Sequence, residues 1–236
     1  MPLLRPWVPI GLTTQLALLA VLAGFVHLNA LGWLVGLASS AVIHIVLARA
    51  LGRDGRTALG PANRVTLARA ILAGGIAALV ASRFTSDIPT ALIVSLTVPA
   101  LMLDAVDGRV ARHTGSVSAT GARFDGEVDA FLILVLSVEV SRTLGAWVLA
   151  IGAARYVLWA AEWVWPWLRK PVPPRYWRKV VAAVQGITLT VAMANVLPEV
   201  LNVVMIAGAL VLLAESFGHD VIWLLRKRSE RSNARL

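Results

Sequence analysis

The chain has 236 residues, 58% of them hydrophobic, with 22 lysines and arginines against 13 acidic residues, a formal net charge of +9 and no cysteine. That apolar fraction exceeds the roughly 45 to 50% of soluble domains, which excludes an ordinary soluble fold. Without cysteine there is no disulfide framework, thiolate nucleophile or cysteine-bound metal.

Apolar runs of about 18 to 25 residues recur along the chain, the length needed to cross a hydrocarbon core of about 30 Å. Read against glycine, proline and charge breaks, they predict eight helices, near 8–27, 31–50, 62–82, 88–108, 118–140, 144–166, 179–197 and 200–225. The predicted fold class is all-α, a polytopic helical membrane protein. Arg5 precedes the first apolar run, but at about 19 residues that run exceeds a secretory h-region and reads as a retained anchor. Residues 1–50 are then two additional N-terminal spans. Residues 51–61, short, glycine-rich and basic, form a cytoplasmic juxtamembrane linker and the one candidate internal boundary. The six spans over 62–225 form the main body. Pro171, Pro173 and Pro174 lead into Arg175, Tyr176, Trp177 and Arg178, an elbow suited to the headgroup layer. Residues 226–236 read as a basic, disordered cytoplasmic tail.

With a cytoplasmic amino terminus, 19 of the 22 basic residues fall on the cytoplasmic side, leaving Arg83 and Arg142 outside and Arg155 within a span. Positive charge favours the inner side, and clusters there serve as anchors for anionic lipids. No loop is long enough to build a soluble domain presenting a basic face to a duplex, so nucleic acid is not an expected partner.

Five of the 13 acidic residues lie between Asp104 and Asp129, at the cytoplasmic ends of the fourth and fifth spans. Four aspartates at helix centres cost on the order of 10 to 14 kcal/mol on insertion scales, somewhat less at helix ends. Asp104 and Asp107 are three residues apart, Asp125 and Asp129 four, so each pair shares a helix face. Two such pairs on adjacent antiparallel helices can converge. Neither Arg112 nor Arg123 alone balances four carboxylates, whereas two divalent cations do, and all-carboxylate ligation suits Mg²⁺ or Mn²⁺. Interhelical Asp to Arg ion pairs without metal are the plainer alternative. Gly108 and Ala111 keep the Asp104 face short of side chains, and Arg112 offers a charge to phosphate. Small residues of this kind also serve close helix packing.

The stretch DAVDGRVARHTGSVSATGARFDGEVD, from Asp104 to Asp129, resembles the signature of the CDP-alcohol phosphotransferases, DxxDGxxAR, eight residues, then GxxxDxxxD. Asp104, Asp107, Gly108, Ala111, Arg112, Gly121, Asp125 and Asp129 match every fixed position. Upstream, Pro61, Asn63, Thr66 and Arg69 are similar to the family's weaker PxNxxTxxR arrangement, although an ordinary helix start reads the same way. The resemblance implies a six-helix catalytic core over the third to eighth spans and leaves the role of the first two open. It implies transfer of a substituted phosphate from a CDP-linked donor, commonly CDP-diacylglycerol, to an acceptor alcohol with release of CMP, in phospholipid biosynthesis. It also implies two divalent cations held by Asp104, Asp107, Asp125 and Asp129, with Asp129 as general base. Gly108, Ala111, Arg112, Gly121, Asn63, Thr66 and Arg69 would take the CDP donor, and a homodimer is implied. The charge bias then predicts an integral protein of a bacterial-type cytoplasmic membrane, its active site facing the cytoplasm.

The signature says little about the acceptor. Arg155, charged within a span, is a candidate for the phosphate of glycerol 3-phosphate or an inositol phosphate, and equally for pairing with Glu162 or Glu215. Glu139 and Arg142 are expected to pair with each other, and Glu215 and His219 to form a polar contact. Two other classes fit parts of the pattern: a divalent metal-ion transporter, and an inactive scaffold that retains the fold. A transporter calls for polar residues through the full membrane depth, whereas these cluster at one end.

Overall fold

In a computed structural model, the structure describes residues 7–53, 59–113, 118–170, 172–173 and 175–233, excepting the side chains of 53, 107–113, 119 and 228–233. Among the described residues there are eight α helices and no strand: α1 (Trp7–Phe25), α2 (Ala30–Arg53), α3 (Pro61–Ser82), α4 (Thr90–His113), α5 (Ala119–Leu144), α6 (Leu149–Val164), α7 (Tyr176–Ala194) and α8 (Glu199–Asn233). Each predicted span has its helix, and two differ appreciably. Helix α6 is shorter than 144–166, because a 3-10 turn at Ala146–Val148 precedes it and Pro166 opens another at Pro166–Arg169. Helix α8 continues to Asn233, which corrects the expectation of disorder from Arg226. Arginine, lysine and glutamate are good helix formers, so polarity after Leu225 does not end the helix.

Four helices among the described residues are long and apolar enough to cross a membrane: α1, α3, Ala30–Gly52 of α2 and Glu199–Lys227 of α8. In α4 the apolar stretch is shorter, Thr90–Val106. The 16 residues of α6 reach only about 24 Å, and α5 opens with Arg123, Asp125, Glu127 and Asp129. Large apolar side chains such as Ile10, Phe25, Leu34, Val42, Val204 and Val211 are exposed, as a lipid-facing surface requires. The chain is a helical membrane protein.

Two compact units divide the chain, Met1–Val135 and Leu136–Leu236. In the first, α3 is central and packs against α1, α2 and α4. Its sequence explains this: after Arg69 the run AILAGGIAALVA is apolar all round, which suits a buried helix, and side-chain-poor, which lets neighbours approach closely. Every residue from Ala73 to Ser82 is buried. Helices α1 and α2 therefore rest directly on α3. A buried apolar cluster of Trp7, Val8, Leu47, Leu51, Leu67, Ala70, Phe124 and Val128 ties their ends to α3 and to the start of α5.

In the second unit α7 packs on α8. The elbow before α7 supplies the fastening: Trp177 Nε1 donates to Glu215 Oε2 at 2.6 Å, and Arg178 pairs with Asp220 at 3.4 Å while donating to the Pro173 carbonyl. Asn195, left-handed at φ 51°, caps the carboxyl end of α7. Glu139 and Arg142 pair at 3.3 Å, as their spacing predicts.

Helices α2 and α3 approach closely at Gly32. A Cβ there would lie 2.0 Å from Ser82 Oγ and 2.8 Å from the Ala78 carbonyl oxygen, and that backbone cannot swing aside. Gly32→Ala should cost about 1 to 3 kcal/mol by overpacking and lower the melting temperature in detergent by several degrees. Gly24→Ala, with nothing within 4 Å of its Cβ, should leave it unchanged. Equal stability of the two variants would contradict the α2 to α3 packing.

Candidate functional site

The site is built on three helices of the first unit. On α3, Asn63, Thr66 and Arg69 are three residues apart, share a face and are all buried. Pro61 opens the helix behind the extended cap residue Gly60, where its fixed φ is favourable and its missing N–H costs nothing. Helix α4 carries Asp104, and α5 carries Asp125 and Asp129 one turn apart. Ser118 starts α5 by accepting a hydrogen bond from the Gly121 N–H on its Oγ at 3.0 Å, the bond of an N-cap serine. A Cβ at Gly121 would lie 2.8 Å from Asn63 Oδ1 and 3.0 Å from Ser118 Oγ. Glycine at 121 thus lets the Asn63 side chain settle against the start of α5.

Asp104, Asp125 and Asp129 converge. Each presents a carboxylate oxygen within 4.8 Å of the others. Like charges at that separation repel by roughly 3 kcal/mol per pair at an effective dielectric of 20, before solvent screening. The cluster holds together around Arg69. Its Nη2 lies 2.9 Å from Asp104 Oδ1 and also pairs with Asp129, its Nη1 lies 2.5 Å from Asp125 Oδ1, and its Nε donates to the Ala100 carbonyl at 3.3 Å. The Arg69 side chain is 1% exposed, whereas Asp104, Asp125 and Asp129 are 37, 30 and 27% exposed. The guanidinium is thus the floor of the site and the carboxylates are its open rim.

These residues fit a divalent cation. The donors are all carboxylate oxygens, as Mg²⁺ and Mn²⁺ prefer. Three carboxylates facing one guanidinium leave these four side chains at a formal charge of −2, and the rim is reachable from outside. The side chains of Asp107, Gly108, Ala111 and Arg112, named from the sequence, lie outside the described ones. Arg155 stands on α6, in the second unit, and is exposed. Glu215, one of its expected partners, accepts from Trp177 Nε1 and not from His219.

One feature escapes the sequence. Arg69, on α3, pairs with all three aspartates, whereas the local spacing draws attention to Arg112 and Arg123. Thirty-five residues separate Arg69 from Asp104, so no local periodicity reports their contact. Ser118 as the cap of α5 was readable, because serine before a helical pattern is a start signal.

A profile of the CDP-alcohol phosphatidyltransferase family matches residues 59–214. The chain belongs to this family. The matched segment begins just before α3, contains every residue of the carboxylate site and leaves α1 and α2 outside. No match was found among curated proteins or among solved structures. As a CDP-alcohol phosphatidyltransferase family member, the protein is a membrane transferase whose phosphate comes from a CDP-alcohol. Members of the family use divalent metals, in keeping with the donor set of the triad.

Isothermal titration of the detergent-solubilised transferase with Mn²⁺ should show binding weakened by at least about tenfold in Asp125→Asn. Glu139→Gln, which alters a carboxylate of the second unit, should bind Mn²⁺ as the parent does. Unchanged affinity in Asp125→Asn would remove that residue from the ligand set.

Proposed function

We propose that the transferase moves a phosphatidyl group from a CDP-linked lipid such as CDP-diacylglycerol to a small alcohol, releasing CMP, as a step in phospholipid synthesis. The observation that carries this reading is the convergence of the partly exposed Asp104, Asp125 and Asp129 of α4 and α5 in a member of this family. Asp107, one turn from Asp104, completes the carboxylate set, and the catalytic part is the six-helix segment 62–225, braced by the additional spans of 1–50. Divalent ions held there supply charge stabilisation for the diphosphate and for the departing CMP.

Asp129 acts as general base. It takes the proton of the acceptor hydroxyl as that oxygen attacks the lipid-side phosphorus; the new P–O bond forms, the bond to the CMP oxygen breaks, and CMP leaves with the electron pair. Gly108, Ala111, Arg112, Gly121, Asn63 and Thr66 receive the cytidine and diphosphate, short side chains making room for the flat base and Arg112 meeting a phosphate. A site towards one end of the helices, with an exposed rim, lets a lipid donor keep its acyl chains in the bilayer while its nucleotide sits at the surface. The basic residues favour the cytoplasmic surface as that place, and the charge of Arg155, on a helix whose other charged residue is Glu162, supports a phosphorylated acceptor.

Asp129→Asn should lower CMP release by at least about a hundredfold while binding of the CDP donor persists. Near-normal turnover would exclude Asp129 as the base. With CDP-diacylglycerol as donor and serine, inositol, inositol phosphate or glycerol 3-phosphate as acceptor, CMP release should be fastest with a phosphorylated alcohol. Preference for an uncharged alcohol would defeat the acceptor reading, and metal flux through proteoliposomes without any CMP release would defeat the reaction itself.

A further inference from the structure

We propose that Arg69 is a positioning residue that serves as the resident counter-cation of the carboxylate site, holding Asp104, Asp125 and Asp129 together before a divalent ion is bound and opposing that ion's entry. The inference rests on the metal-site part of the functional reading and assigns Arg69 a role apart from the CDP donor. Its basis is geometric. One guanidinium reaches carboxylates on two different helices from a third, using both terminal nitrogens, while its Nε is anchored on the Ala100 carbonyl. The planar five-donor fork suits this task, where a lysine ammonium offers a single point of charge.

Burial sets the direction of the effect. At 1% exposure the Arg69 charge has almost no water around it, so its stabilisation comes from the carboxylates, and removing one side of such a pair leaves the other uncompensated. When a dication binds the rim, it meets the same oxygens already engaged by a fixed positive charge a few ångströms away. Repulsion between the two cations lowers metal affinity whether or not the guanidinium withdraws. In the metal-free protein, by contrast, loss of Arg69 removes a guanidinium that engages all three carboxylates and so raises their mutual repulsion. Arg69 therefore stabilises the empty site and weakens the loaded one.

The test uses the full-length protein in detergent, with Mn²⁺ alone as probe and no nucleotide. Arg69→Gln should lower the metal-free melting temperature, tighten the Mn²⁺ dissociation constant by about tenfold or more, and show a larger Mn²⁺-induced rise in melting temperature than the parent, because ligand binding stabilises in proportion to its affinity. Adding Asp104→Asn to Arg69→Gln should recover metal-free stability, since it removes one of the repelling charges; a purely packing role for Arg69 predicts no such rescue. Weaker Mn²⁺ binding in Arg69→Gln, an unchanged metal-free melting temperature, or failure of the variant to fold even with Mn²⁺ and with Asp104→Asn would each overturn the proposal. These readouts are independent of turnover. A parent enzyme that fails to release CMP yet shows the expected Mn²⁺ and stability shifts would defeat the phosphatidyl-transfer reading and leave the role of Arg69 standing.

Discussion

A single guanidinium buried beneath three carboxylates organises the first unit of this protein. Arg69 on α3 meets Asp104 on α4 and Asp125 and Asp129 on α5, so three helices are tied at one point by charge. In a membrane setting neither partner tolerates the other's absence. Aspartates near helix ends are expensive alone, and a buried arginine more so. Their mutual compensation brings the acids within reach of one ion while their outer faces remain open. Ion pairing and a donor set fit for a metal, alternatives when the sequence is considered alone, here coincide in one cluster.

The rest of the first unit serves to hold α3 in register. A helix rich in alanine and glycine has little side-chain relief of its own, so its neighbours close in on it from several directions. Helices α1 and α2, outside the family match, supply part of that enclosure, and the apolar cluster running from Trp7 and Leu47 to Phe124 and Val128 reaches residues adjacent in sequence to Asp125 and Asp129. The additional spans thereby acquire a physical role: they cover the face of α3 turned away from the carboxylates and help fix where Arg69 stands.

Charge in the second unit is put to a different use. The aromatic and basic elbow suits a headgroup layer by composition, yet Trp177 and Arg178 spend their polar atoms on Glu215 and Asp220 of α8. Residues that look like lipid anchors in a linear string also fasten one helix to the next, since an indole N–H or a guanidinium at the membrane edge gains more from a fixed carboxylate than from exchangeable water.

Much was legible without coordinates. Eight helices, the membrane class, the family and the placing of Asp125 and Asp129 on one helix face all follow from signals that are local in the chain: apolar run length, the three- and four-residue spacing of acids on a helix, and a signature confined to 26 residues. Helix limits near Gly145, Pro166 and Asn233 were less legible, because turn geometry and helix propensity compete there with hydropathy. Beyond reach altogether was the pairing of Arg69 with acids 35 to 60 residues away, and with it the choice of α3 as the hub. Sequence determines which residues share a helix face, because backbone geometry repeats every few residues. Which faces meet depends on how side chains of distant helices fit together, and only the tertiary structure decides that.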